Sequence, residues 1–211
     1  MKRMASLVLT AALGGSSFAL GLGSFNFDAA KMGDYLIESD GGSHRAANWL
    51  NLANVDPGNP GALTGANFDT GVANMSGSIT YTIGYNSAIV DQVGDDLGIV
   101  VARYSFDDVR FRLNDGSAWT SWFALGSGTA VSTGVMKNYW YAGGGPYVAE
   151  LYVHALDMSA YGVSMVKEIE IGDNGQSPQL DLVRAGGLVP EPGTMTALAL
   201  GALALLRRKT R

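Results

Sequence analysis

The sequence has no cysteine, only two histidines, and charge on just 16% of its 211 residues. Without thiols there are no disulfides and no thiolate metal sites, so stability rests on core packing. The two histidines, His44 and His154, lie in no H-E-x-x-H pair and have no partner at a metal-ligand spacing. No G-x-S-x-G elbow occurs, which removes the common serine-hydrolase arrangement. Basic residues are scarce in the body. Lys2, Arg3, Arg207, Arg208, Lys209 and Arg211 sit at the two tips, leaving eight of fourteen basic residues against all nineteen acidic ones between Phe25 and Glu191, a balance of −11. A body this acidic repels polyanions, and nucleic acid is excluded as a partner.

What is present in quantity is glycine, 29 residues, together with alternating apolar patterns. In "SGSITYTIGY", Ile79, Tyr81, Ile83 and Tyr85 share one face of an extended chain. "DVRFRL" sets Val109, Phe111 and Leu113 against Arg110 and Arg112. "YVAELYVHAL" sets Ala149, Leu151 and Val153 against Glu150, Tyr152 and His154, which predicts an exposed His154. "SFNF", "KEIEI" and "LDLV" are shorter versions, and the unbroken run "LGIVVARY" suits a strand buried on both faces. Turn signals separate them at "NDG" 114–116, "GSG" 126–128, "GGGP" 143–146 and "DNG" 173–175. Eight or nine short strands predict an all-β fold, a β-sandwich. Residues 41–74 read as long loops, with a helical turn near "RAANWLNLA".

Candidate chemistry is confined to three groups of residues. Asp91, Asp95 and Asp96 in "DQVGDDLG" offer oxygens to calcium, although the spacing is not that of an EF-hand; turn-forming aspartates are the alternative. Glu38 and Asp40 form a second acidic pair. Trp119, Trp122, Tyr139, Trp140 and Tyr141 offer ring faces to sugars, or else fill the core and line its edge. Adjacent carboxylates at Asp95-Asp96 and Asp107-Asp108 point to opposite faces of an extended chain, so neither makes an acid–base pair. The sequence predicts a protein that is not an enzyme.

The two termini carry the clearest signals. "MKRMASLVLTAALGGSSFA" has a basic tip, an apolar stretch and small residues before a cleavage site after Ala19, the layout of a secretory signal cut by signal peptidase. At the other end Val189, Pro190, Glu191 and Pro192 form an extended strip, since each proline fixes φ and biases its predecessor. The thirteen uncharged residues Thr194–Leu206 follow, ~20 Å long as a helix, then Arg207, Arg208, Lys209 and Arg211. That run is a short membrane anchor whose basic residues stay cytoplasmic and whose acidic body lies outside.

This tripartite ending resembles the PEP-CTERM sorting signal of Gram-negative bacteria. The resemblance implies recognition and cleavage by an exosortase, an integral-membrane transpeptidase-like enzyme. An inner-membrane intermediate would then release the protein to the cell surface or an exopolysaccharide matrix. Separately, "ALDMSAYGVSMVKEIEIGDNGQSPQLDLVRAG" resembles the closing part of galactose-binding-like jelly-roll domains, with Asp157-Met158-Ser159 in place of the commoner Asp-Leu-Ser. That likeness implies a sandwich associated with carbohydrate or calcium. The expected organisation is a signal peptide over 1–19, a jelly-roll-like β-sandwich over 20–188 and the sorting signal over 189–211. A structural or adhesive surface protein is the expected function, with a carbohydrate-binding module for a polysaccharide as the alternative.

Overall fold

The computed structural model describes residues 18–39, 63–69, 71–73, 80–102, 109–126, 129–141, 144–173 and 181–189. The signal stretch before Phe18, the "RAANWLNLA" turn, Asp40, His44, Ile79, Asp107, Asp108 and everything from Pro190 onward lie outside these residues. Among the described residues the chain forms β1 (Ala19–Leu22), β2 (Phe25–Met32), β3 (Tyr35–Ser39), β4 (Val72–Ala73), β5 (Thr80–Val90) and β6 (Leu97–Val101). It continues through β7 (Val109–Asn114), β8 (Phe123–Ala124), β9 (Ala130–Tyr141), β10 (Gly144–Leu156), β11 (Met165–Asp173) and β12 (Asp181–Leu188). One 3-10 turn, Met158–Tyr161, connects β10 to β11.

The strands pair into two antiparallel sheets, the β-sandwich expected from the alternation. One sheet has the order β1-β2-β12-β6-β10-β9, with β4 pairing on β12; the other runs β3-β5-β11-β7-β8. Between them lies a core to which β6 gives Leu97, Ile99 and Val101, β7 gives Phe111 and Leu113, and β11 gives Ile169 and Ile171. Val109, Phe111 and Leu113 are buried while Arg110 and Arg112 are half-buried, as the pattern predicts.

A second apolar cluster lies on the other side of the larger sheet. Val100, Ala149, Leu151, Val153 and Val183 point into it, alternating with the inter-sheet residues, and Phe27, Met32 and Phe68 close over them. The sheet curls to enclose this cluster. Its first hairpin backs onto its last strand so closely that a Cβ on Gly23, at φ +60, would stand 2.5 Å from Thr133 O. Every residue of β6 is therefore buried, as the unbroken apolar run implied.

The same double burial overturns the expected exposure of His154, which has 0% of its surface accessible. Alternation along β10 tells which face a side chain takes, but at His154 neither face is wet. The "GGGP" stretch stands at the junction of β9 and β10: Gly144–Pro146 already belong to β10, with a register shift there, and Gly143 lies outside the described residues. "NDG" does form a turn. Asp115 Oδ1 accepts from the N–H groups of Ser117 and Ala118, and Asn114 Oδ1 accepts from Gly116 N.

Candidate functional site

The final strand leads directly into the terminal segment. β12 is a central strand, flanked by β2 and β6. Its last residue, Leu188, packs in the second cluster and donates its N–H to Asp96 O at 2.7 Å. Val189 donates to Asn26 O at 2.8 Å. The Pro-Glu-Pro strip therefore begins one residue after a hydrogen-bonded position in the sheet. Around this exit lies a cleft of about 440 Å³, lined by Asp28, Lys31, Ile89, Val90 and Gln92 together with Leu188 and Val189. Lys31 Nζ donates to Ala88 O at 2.9 Å and braces its wall. At the opposite terminus Ala19 is the first residue of β1, paired with Asp28, so cleavage after it leaves Leu20–Leu22 to form that strand.

The β5–β6 turn beside the exit gathers carboxylates. Asp91 and Asp96 converge with Asp157, their oxygens within 4.8 Å of one another, whereas Asp95 is exposed and takes no part. Asp157, the N-cap of the 3-10 turn, was not part of the acidic group read from the sequence, because some sixty residues separate it from Asp96. Asp96 is buried and accepts from Gln92 N at 2.7 Å and Met158 N at 3.1 Å. Burial raises its pKa and the neighbouring Asp91 adds to the rise, while those two N–H donors oppose it. Asp91 Oδ1 is buried and receives no hydrogen-bond donor among the described residues. The spacing of the oxygens suits calcium, but the fit is partial. Asp96 and Asp157 already spend oxygens on N–H and O–H donors, and calcium takes six to eight oxygen ligands. Of the second acidic pair, Glu38 lies on β3.

The aromatic residues divide between the two sheets. Tyr139, Trp140 and Tyr141 end β9, at the edge of the larger sheet. Trp119 and Trp122 lie beside β7 on the smaller sheet and stack with its arginines. The Arg110 guanidinium stands 4.4 Å from the Trp122 ring centre, and that of Arg112 stands 4.7 Å from Trp119 and 4.8 Å from Trp122. Such cation–π contacts occupy ring faces that a sugar would use. Arg112 also pairs with Glu170 of β11, while Glu168 accepts from Asn114 Nδ2 at 3.0 Å and from the Tyr35 hydroxyl at 3.2 Å. The five aromatics are thus two separate groups.

Sequence reading missed Arg184 altogether. It is wholly buried on β12, donating from Nε to Gly65 O, from one terminal nitrogen to Val183 O and from the other to Asn67 Oδ1. Burial lowers its pKa to about 10, against which Asp69 acts. A basic residue inside "LDLVRAG" gave no sign of this role. The segment it holds, 63–69, comes from a region read only as loop.

Fold and exit together define a class: an all-β domain whose last described strand, central in its sheet, leads without a spacer into the C-terminal segment. Residues 188–211 match the PEP-CTERM protein-sorting motif. The motif implies exosortase-dependent export and association with the cell surface, with an exosortase as processing partner. No curated protein matches the chain significantly. Among the described residues no helix is long and apolar enough to cross a membrane, and the Thr194–Leu206 run lies outside them.

Proposed function

We propose that this chain is a non-enzymatic surface or matrix protein of a Gram-negative bacterium, exported by its N-terminal signal and held at the inner membrane by its tail. An exosortase then cuts the tail near Pro-Glu-Pro, and the β-sandwich serves structure or adhesion outside the cell. The observation that carries this reading is the sorting motif at residues 188–211, fused to a strand end that is already hydrogen bonded at Val189. Such a junction fixes where on the folded body the motif begins. The non-enzymatic reading draws support from the sequence, which offers neither a nucleophile elbow nor a metal-binding histidine pair.

Intact-mass analysis of the protein from its native cells, fraction by fraction, tests this. The expected mass lacks the first ~19 residues and the segment beyond the Pro-Glu-Pro region. A full-length C-terminus in the membrane fraction would reject cleavage and leave an anchored domain.

A second reading, a module for polysaccharide, draws on one observation: Trp119 and Trp122 lie together beside β7, where a sugar would displace Arg110 and Arg112 from the rings and find Asn114 and Glu168 close by. Polar groups beside aromatic rings are the usual material of a sugar site. Retardation of the protein in a gel cast with the producer's own exopolysaccharide, relieved by Trp122→Ala, would support it. Equal mobility of both proteins with and without polysaccharide would exclude it.

A further inference from the structure

We propose that the rim around the exit of β12 is a docking surface for the exosortase, so that the enzyme grips the folded sandwich as well as the sorting motif. The inference rests on the sorting reading above and adds the place of contact on the body.

Four residues, Pro190–Gly193, separate Val189 from the apolar run that begins at Thr194. Even fully extended, the chain from Val189 to Thr194 spans at most roughly 18 Å. While that run is in the membrane, the rim carrying Val189 faces whatever surrounds it and cannot turn far away. An enzyme whose active site receives the Pro-Glu-Pro strip must therefore meet this end of the domain.

The rim is built for contact. Val90, at the end of β5, is 50% exposed; its Cα partner on β11, Met165, is 38% exposed. Val93, next to Gln92 in the following turn, is 65% exposed. Val90 lines the same cleft as Val189, with Met165 its partner across the strand pair and Val93 three residues further along the chain. Scattered exposed apolar residues are ordinary, but a group of them at the exit of a tethered segment marks an interface. The remaining question is whether the occupant is lipid or protein. Asp28 lines the cleft and the exposed Asp95 follows in the same turn, while the one lining cation, Lys31, donates to Ala88 O; carboxylates are repelled by an anionic lipid surface. A protein surface matched to an apolar patch with an acidic border fits better.

Two full-chain experiments test this in the native cells. In a pulse-chase read by intact mass, Val90→Asp with Val93→Asp is expected to slow tail removal at least ten-fold. Val131→Asp with Met136→Asp, placed on exposed apolar positions of β9, should stay within two-fold of wild type. Equal rates for all three chains would overturn the docking surface while leaving the sorting reading intact. A wild-type chain that keeps its tail would instead overturn the sorting reading and this one with it.

The absence of cysteine allows a second test that does not depend on how the aspartate variant folds. Val93→Cys, carrying the only thiol and a photo-crosslinker, is expected to give an adduct whose partner peptides are those of the exosortase. Met136→Cys should not give that adduct. Adducts to lipid alone, or the same adduct from both positions, would reject the proposal.

Discussion

At the scale of single residues, the informative side chains are polar ones in places where alternation alone would have left them wet. His154 has no accessible surface, and its ring contacts Thr129 Oγ1 at 2.9 Å. That hydroxyl donates its proton to Gly126 O, so the ring nitrogen Nδ1 is the donor in their bond. Burial lowers the pKa of His154 to about 4, from about 6.5 in the unfolded chain. The folded state thus holds the neutral ring. Its contribution is complete above pH 6.5 and is lost as the pH falls towards 4, by about 3 kcal/mol over that window. Asp96 acts with the opposite sign: its raised pKa favours folding below the unfolded carboxylate range, and that gain disappears as the pH rises through the folded value. Urea denaturation at a series of pH values is expected to show the acid loss in wild type and a much flatter profile between 6.5 and 4 in His154→Gln. A second residue-scale test concerns Gly84. Tyr35 is its Cα partner on β3, and a Cβ on Gly84 would stand 1.9 Å from the tyrosine ring. The ring covers the glycine, an aromatic rescue of a weak strand position. Gly84→Ala should cost about 1–3 kcal/mol through overpacking. Combined with Tyr35→Ala, which vacates the space, the loss should be smaller than the sum of the two single losses. Chemical denaturation of the four proteins of that cycle measures the coupling.

At the scale of elements, what was legible followed period two. The inward faces of β5, β7 and β11 and the doubly buried β6 stood in the sequence, because apolar side chains on an extended chain declare their face directly. What was not legible depended on contacts between distant segments. The second cluster exists because the larger sheet curls, and no local pattern in "FNFDAAKM" or "YVAELYVHAL" announces a curl. The carboxylate group was half legible: Asp91 and Asp96 are neighbours in sequence, but Asp157 joins them only through the β10–β11 connection. The five aromatics, weighed in the sequence as a sugar platform or as core and edge, are divided between sheets for the same reason. Arg184 shows how such contacts hold an element without regular structure. Its planar fork ties Gly65 and Asn67 to β12, while Lys137 pairs with Asp69 at 2.6 Å from the far side of the same segment. Arg184→Ala removes the hydrogen bonds to Gly65, Val183 and Asn67 and leaves a cavity, a loss of about 3 kcal/mol. Arg184→Lys should recover little, since an ammonium cannot reproduce the fork. Thermal unfolding of both variants, with hydrogen exchange at 63–69, checks the stability and the segment separately.

At the scale of the whole molecule, the order of the strands joins folding to sorting. β12 is last in sequence but central in its sheet, and it also contributes Leu182 and Ala185 to one core and Val183 and Leu188 to the other. Neither core is complete until this strand is inserted, so the sandwich closes only after the chain has emerged as far as Val189. The address segment starts at that point. A body that has not taken up β12 leaves the residues before Pro-Glu-Pro loose, whereas a closed body presents the strip from a fixed edge. Two truncations separate the contributions. A chain ending at Val189 keeps every described strand and should unfold cooperatively within about 0.5 kcal/mol of the processed wild-type body, which is the usual effect of a surface change. It should also leave the cell envelope, having lost the matched motif. A chain ending at residue 180 loses the central strand and should show no cooperative transition at all. Calorimetry and cell fractionation on the two chains give both answers. If the chain ending at 180 unfolded cooperatively, the two cores would not depend on β12, and the link between closure of the sandwich and presentation of the tail would be broken.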